Sequence, residues 1–246
     1  MNRRVGHWGR RRVGDGTPTP AGEPPFWLWN FENGANMRQD SIKGFTLEGN
    51  LGPVNHFPTG RHGNCAFVQA SAEYLISADA ITEGDWSCAL WFNGENIDTT
   101  STIRLARFLG LGDQYLNVEL TDSVSVDGRW DINVRWDGGA GAQVMNFLTL
   151  EGEWTYVGVA VTGGDTVRAV VNSGDSGDPQ HSSSATSVPT ADMHFQNLVT
   201  STFQGDEEIY YDHLAIWPST PLTQDQMESQ SNGLFFNSET RVWESA

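Results

Sequence analysis

The sequence predicts one all-β domain, built as a broad antiparallel sandwich, and three observations point to it. Short apolar runs alternate at period 2 and stop at glycine or proline, and the 27 Gly and 10 Pro are spread between them, as many strands joined by turns require. Ten Trp and twelve Phe call for a wide interior, which two packed sheets supply more readily than a small barrel. The length, 246 residues, suits a single domain when the chain is all-β.

In chain order, residues 1–25 form a basic, Pro/Gly-rich arm. Thr17-Pro18-Thr19-Pro20 and Pro24-Pro25 favour extended backbone there, and the domain proper runs over 26–246. The spacing predicts strands over 26–31, 45–47, 65–68, 74–76, 86–92, 103–108, 115–120, 129–136, 144–150, 155–162, 167–172, 195–199 and 208–217. The 129–136 run alternates cleanly, with Trp130, Ile132, Val134 and Trp136 inward and Asp131, Asn133 and Arg135 outward. In 208–217, period 2 sets Asp212, Leu214 and Ile216 on one face and His213, Ala215 and Trp217 on the other. A short helix is predicted over 224–231, where Thr223 caps the start and Gln226, three residues later, reaches back in a capping-box spacing. Residues 174–187 read as a Gly/Ser/Asp-rich loop.

Four segments, in order, carry a resemblance. They are Gly60-Arg61-His62-Gly63-Asn64-Cys65-Ala66-Phe67 ahead of Tyr74-Leu75, then Asp85-Trp86 to Trp91-Phe92, then Trp154 to Val161 with the hairpin strand ending at Asn172, and last Asp212 to Met227. Together they resemble the laminin-G-like, concanavalin A-like jelly-roll modules over roughly residues 26–236. The resemblance implies an antiparallel jelly-roll sandwich with one short helix near the C-terminus, behind the extended N-terminal arm. It names no ligand.

Jelly rolls of this kind include glycan-cleaving enzymes, which need paired acids on one strand face. No Glu-x-Asp-x-x-Glu or Glu-x-Asp-x-Glu run occurs: Glu151 and Glu153 lack a third acid, and Glu207 and Glu208 are adjacent and point opposite ways. Gly174-Asp175-Ser176-Gly177 is similar to the nucleophile motif of trypsin-like proteases, but His62 sits in an unrelated setting, so the segment reads as a turn-rich loop. Six scattered His and two Cys make no zinc site. Cys65 and Cys88 read as buried thiols, with a disulfide as the alternative. No enzyme is expected.

Asp212 is different, because its parity places a carboxylate among apolar residues, where it must be hydrogen-bonded, salt-bridged or bound to a cation. Related jelly rolls hold calcium between their first and last strands, so the resemblance implies a structural calcium with Glu32 as the second ligand. The alternative is that Asp212 accepts backbone N–H bonds with no metal. The outward row Asp131, Asn133 and Arg135 has the chemistry to bind sugar hydroxyls, although a solvated sheet face gives the same pattern.

The formal charge is −17, yet Arg3, Arg4, Arg10, Arg11 and Arg12 crowd the first twelve residues without an acid. The acidic body opposes nucleic acid and anionic membrane surfaces. The arm suits an acidic neighbour, and identical subunits of an assembly would supply one. Met1 to Arg12 has no apolar run behind its arginines and reads as neither a Sec nor a twin-arginine signal. These features predict a non-catalytic decoration protein of a larger particle, a phage virion, anchored by its arm and displaying a lectin-like domain. The alternative is a free carbohydrate-binding or adhesion module at an extracellular surface, and the third reading is a glycan-cleaving enzyme.

Overall fold

The computed structural model describes residues 22–32, 41–42, 47–49, 55–69, 74–76, 81–82, 84–95, 102–122, 129–162, 164–173, 178–197 and 208–245. Eighteen strands and one helix follow in these residues. The first nine strands are β1 (Trp27–Trp29), β2 (Leu47–Gly49), β3 (Asn55–Gly60), β4 (Gly63–Gln69), β5 (Tyr74–Ile76), β6 (Ile81–Thr82), β7 (Trp86–Glu95), β8 (Ile103–Gly110) and β9 (Tyr115–Asp122). The rest are β10 (Arg129–Asp137), β11 (Gln143–Leu150), β12 (Thr155–Thr162), β13 (Thr166–Ser173), β14 (Gln180–Ser184), β15 (Met193–Asn197), β16 (Glu208–Trp217), α1 (Gln224–Ser231), β17 (Leu234–Asn237) and β18 (Val242–Ser245).

They form an antiparallel jelly-roll β-sandwich. One sheet runs β14-β13-β12-β7-β16-β4-β3, with β1 also paired to β16, and the other runs β11-β10-β9-β8-β15-β6. Alternation explains the layers. Trp130, Ile132, Val134 and Trp136 of β10 meet Val157, Val159 and Val161 of β12 and Cys88 and Leu90 of β7 in one core between the sheets. Cys65 and Cys88 are buried and unbridged, and burial pushes the Cys88 thiol up to about 12.

The opposite face of the larger sheet is covered as well. Leu28, Trp91, Tyr156, Ala215 and Trp217 pack there against Leu222 and Met227 of the helical segment and Phe236 of the C-terminal hairpin. The capping box forms as its spacing predicts: Thr223 accepts from the Gln226 N–H, and the Gln226 side chain accepts from the Thr223 N–H at 2.8 Å. Residues 22–25, assigned to the arm by composition, dock onto this layer. Trp217 Nε1–H donates to the Glu23 carbonyl at 2.9 Å, Trp243 Nε1–H donates to the Gly22 carbonyl at 3.2 Å, and Pro25 is buried.

The smaller sheet differs: the outward residues Asp131, Asn133 and Arg135 of β10 reach the surface, while β5 packs against β15. No helix among the described residues is long and apolar enough to cross a membrane.

Six strands depart from the sequence pattern: β3, β6, β14, β17 and β18 lie outside the predicted spans, and β16 breaks its alternation. β14 lies inside the expected loop; its Gln-His-Ser-Ser-Ser run has no apolar alternation because it is an exposed edge. β3 contains Pro58, which an edge strand tolerates. In β16, Ile209, Tyr211, Leu214 and Ile216 all enter the inter-sheet core. Two residues, not one, separate Tyr211 from Leu214, so period 2 does not carry through Asp212 and His213. A β-bulge lies there, with His213 at φ 46°. The expectation that Asp212 shares the face of Leu214 and Ile216 by alternation is corrected accordingly.

Candidate functional site

The bulge marks a change of partner. β16 pairs with β4 through residues 208–211 and with β1 through 214–216. Asp212 stands at the junction, fully buried. Its Oδ2 accepts the backbone N–H of His62 at 2.8 Å, and its Oδ1 lies 2.8 Å from His213 Nδ1. Glu32, just past β1, reaches the same gap, where Asn64 donates to it from its backbone N–H and from Nδ2 at 3.0 Å. Burial pushes the Glu32 carboxyl above its ordinary value and the charge of Asp212 adds to this, while the Asn64 donors and His213 pull the other way.

Two glycines make that approach feasible. A Cβ on Gly63, at φ 108°, would collide with the Glu32 carboxylate, and one on Gly60 would sit 2.5 Å from the Asn64 carbonyl oxygen. The Gly60-x-x-Gly63 spacing is therefore what lets the β3–β4 turn close over two acids. Phe31, at φ 55°, turns the chain out of β1 toward them.

The structure thus brings Glu32 and Asp212 together, as the sequence reading paired them. Two carboxylates in one gap suit a hard, oxygen-preferring cation. In the described geometry, however, both are satisfied by protein donors, and no group of three His, Cys, Asp or Glu side chains among the described residues is placed to hold a metal ion.

Beside this gap opens a cleft of about 370 Å³, lined by Asn30, Glu32, His62, His213, Phe235 and Ser238 among others. His62 stacks on Phe235 with ring centroids 4.5 Å apart and meets His213 edge-on at 5.0 Å. Neither of its ring nitrogens has a hydrogen-bond partner among the described residues. Burial, then His213, brings the His62 pKa down to about 3, so the ring is neutral at physiological pH.

The second candidate region is the outer face of the smaller sheet. Asp131, Asn133 and Arg135 lie on it, as alternation predicts, while Trp130, Ile132, Val134 and Trp136 are buried behind them. Glu119 of β9 organises the row. Its Oε2 lies 3.4 Å from Arg135 Nε, its Oε1 lies 3.5 Å from Arg104 Nε, and Asn117 Nδ2 donates to Oε1 at 3.0 Å. Asn133 Nδ2 donates to Thr121 Oγ1 at 2.8 Å. Side chains on three adjacent strands are thereby fixed as one polar surface.

The sequence reading found the β10 row and missed Arg104, Arg107, Asn117 and Glu119. Arg104 and Arg107 are three apart, which strict alternation would put on opposite faces. The register shift between Arg104 and Ala106 lets both face outward, opposite Glu119 and Asn117. Arg3, Arg4, Arg10, Arg11 and Arg12 lie outside the described residues, as does the Gly174–Gly177 motif.

No protein-family model matches the chain, and no curated protein matches its sequence. The fold does have solved neighbours. The botulinum neurotoxin serotype G binding domain superposes with a TM-score of 0.59 at 9% identity, covering 84% of this chain and 50% of that one. The serotype D ligand-binding domain, solved in complex with N-acetylneuraminic acid, gives 0.55 at 9%, covering 85% and 50%. The binding domain of Paraclostridial Mosquitocidal Protein 1 gives 0.50 at 12%, covering 76% and 47%. This chain spans about half the length of each. At such identities the likeness is one of fold, a β-sandwich.

Proposed function

We propose that the chain is a non-catalytic carbohydrate-binding or adhesion module, of the laminin-G-like kind that its motifs resemble, working at an extracellular surface. One observation carries this reading: among the described residues the smaller sheet keeps the polar outward row of β10 at the surface, while the outer face of its partner sheet is buried under a helix and a hairpin. Sugar hydroxyls need neighbouring donors and acceptors held in fixed geometry, and Asp131, Asn133 and Arg135 with their Glu119 anchor supply both. The neighbours support the reading, since each is named a binding domain and one holds a sugar acid. A glycan array, neutral and acidic, tests it. Bound glycans are expected, and Asn133→Ala with Arg135→Ala should each weaken them about tenfold while the protein stays folded. An array without hits removes the reading.

A particle-anchored form of the same module is a second proposal, resting on the basic arm alone. Its test is co-sedimentation with particles of the source after deletion of residues 1–21. Gly22 to Pro25 are retained in that deletion because they dock under Trp217 and Trp243. Loss of attachment on deletion, with full-length attachment itself weakening as salt rises, supports anchoring, and equal attachment leaves the free module.

A structural calcium at Glu32 and Asp212 is a third proposal, and it rests on the resemblance. Calcium should then raise the melting temperature in a way that chelator reverses and Asp212→Asn abolishes. A curve indifferent to both leaves the hydrogen-bonded carboxylates as the complete account.

A further inference from the structure

The bulge in β16 leaves one polar atom unused. His213, only 8% exposed, holds its Nδ1 2.8 Å from Asp212 Oδ1. A carboxylate only accepts, so Nδ1 carries the hydrogen, and in the neutral ring Nε2 keeps a lone pair. Among the described residues Nε2 has no hydrogen-bond partner, and the ring forms part of the wall of the cleft of about 370 Å³. Glu32 lines that cleft from the β1 side, and the exposed Glu239 lines it from the β17–β18 turn. The two sides are tied together, since Asn30 Nδ2 donates to Ser238 Oγ at 3.1 Å. Phe235 adds an aromatic wall. Among the described residues every charged side chain lining the cleft, the histidines apart, is an acid, and the Asp212 carboxylate lies just behind. Two described arginines are neighbours in sequence. Arg61 lies over the Trp91 ring, 5.0 Å from its centroid, and Arg241 sits at the end of the β17–β18 turn; neither lines the cleft.

We propose that this cleft binds an organic cation, a guanidinium or alkylammonium group whose N–H donors are shared among Glu32, Glu239 and His213 Nε2 and whose alkyl stem rests on Phe235. Such a group brings several donors to a site built of acceptors. It also forms charge-assisted bonds without displacing the N–H groups that Asp212 and Glu32 already accept. An aromatic wall favours a cation over a neutral ligand of the same shape. The volume suits one head group with its stem, at the lower end of the roughly 300–1,000 Å³ of small-ligand sites. A metal ion fits less well, because no three His, Cys, Asp or Glu side chains among the described residues are placed to hold one. The same chemistry has two sources, a free amine or guanidine and the arginines of the chain's own arm. Gly22 is held by Trp243, which pairs with Phe236 of the cleft wall. Ten extended residues reach about 33 Å, which brings Arg12 within range.

The test titrates the full chain, in chelator, with n-butylguanidinium, n-butylammonium and the neutral isostere n-butylurea. Calorimetry gives the affinity, and NMR follows the ring signals of His213 and Phe235. Both cations are expected to bind and to shift both rings, with the urea at least about tenfold weaker. Glu239→Gln, at an exposed position, should weaken the cations about threefold. Glu32→Gln should weaken them about tenfold, the loss of a charge-assisted hydrogen bond; if that variant fails to fold, Glu239→Gln decides. Deleting residues 1–21 identifies the source. Tighter probe binding afterwards supports the site with the arm's arginines as its occupant, and unchanged binding supports it with a free cation. The proposal is overturned by urea binding as well as the cations, by cations that leave His213 and Phe235 unmoved, by an indifferent Glu239→Gln, or by no binding to either form of the chain.

Discussion

Leu214→Ala is expected to destabilise the domain by about 2–5 kcal/mol, a loss of a fully buried side chain with incomplete collapse of the space left behind. Leu214 is 0% exposed and belongs to the core between the sheets. It is the first residue after the bulge and pairs with Trp29 of β1, itself 0% exposed. Trp29 across the strand pair and Ile216 on the same strand are fully buried too, so truncation leaves a cavity among packed side chains. For a domain of this size the corresponding fall in melting temperature is roughly 5–15 °C. Urea unfolding of the purified protein measures it. A loss near zero would show that Leu214 does not face the core and that the bulge is misplaced.

Pattern reading succeeds in this chain wherever one periodicity runs unbroken. β10, β12 and β13 are legible because each alternates or stays apolar from end to end, and α1 is legible from Thr223 and Gln226. Two failures share a cause: a single inserted residue reverses parity and leaves no mark in composition. At Asp212-His213 the insertion breaks the assigned face of the carboxylate, whose partners are the His62 N–H and the His213 ring. At Arg104 to Ala106 it hides two arginines that belong to the Arg135 row. β14 and β3 were lost for another reason, since edge strands have no buried face to impose alternation. Glu32 was found only through the resemblance. Its contacts depend on the Gly60 and Gly63 turn, which brings together residues 32 and 212, far apart in sequence.

Between pH 7 and pH 5 the folded state is expected to lose about 2 kcal/mol through His62 alone. The folded-state pKa of this residue is lowered from 6.5 to about 3. A depressed value means that the unfolded chain takes up a proton which the native site refuses. The contribution is therefore fully present above 6.5, is lost as pH falls, and is exhausted near 3. The causes are physical and local: desolvation first, then His213, with Arg61 acting in the same direction and Asp212 opposing. Glu32 contributes with the other sign. Its raised carboxyl favours the folded state in acid, and that advantage fades as pH rises through its folded value. The two are separated by comparing variants. His62→Phe removes the titrating group but keeps the stack on Phe235 and the backbone N–H that Asp212 accepts. Its stability should fall less than wild type from pH 7 to pH 5, by about the 2 kcal/mol assigned to the imidazole. Parallel curves for the two proteins would mean that His62 protonates freely in the folded state, and that the cleft beside the carboxylate pair is wetter than its geometry indicates.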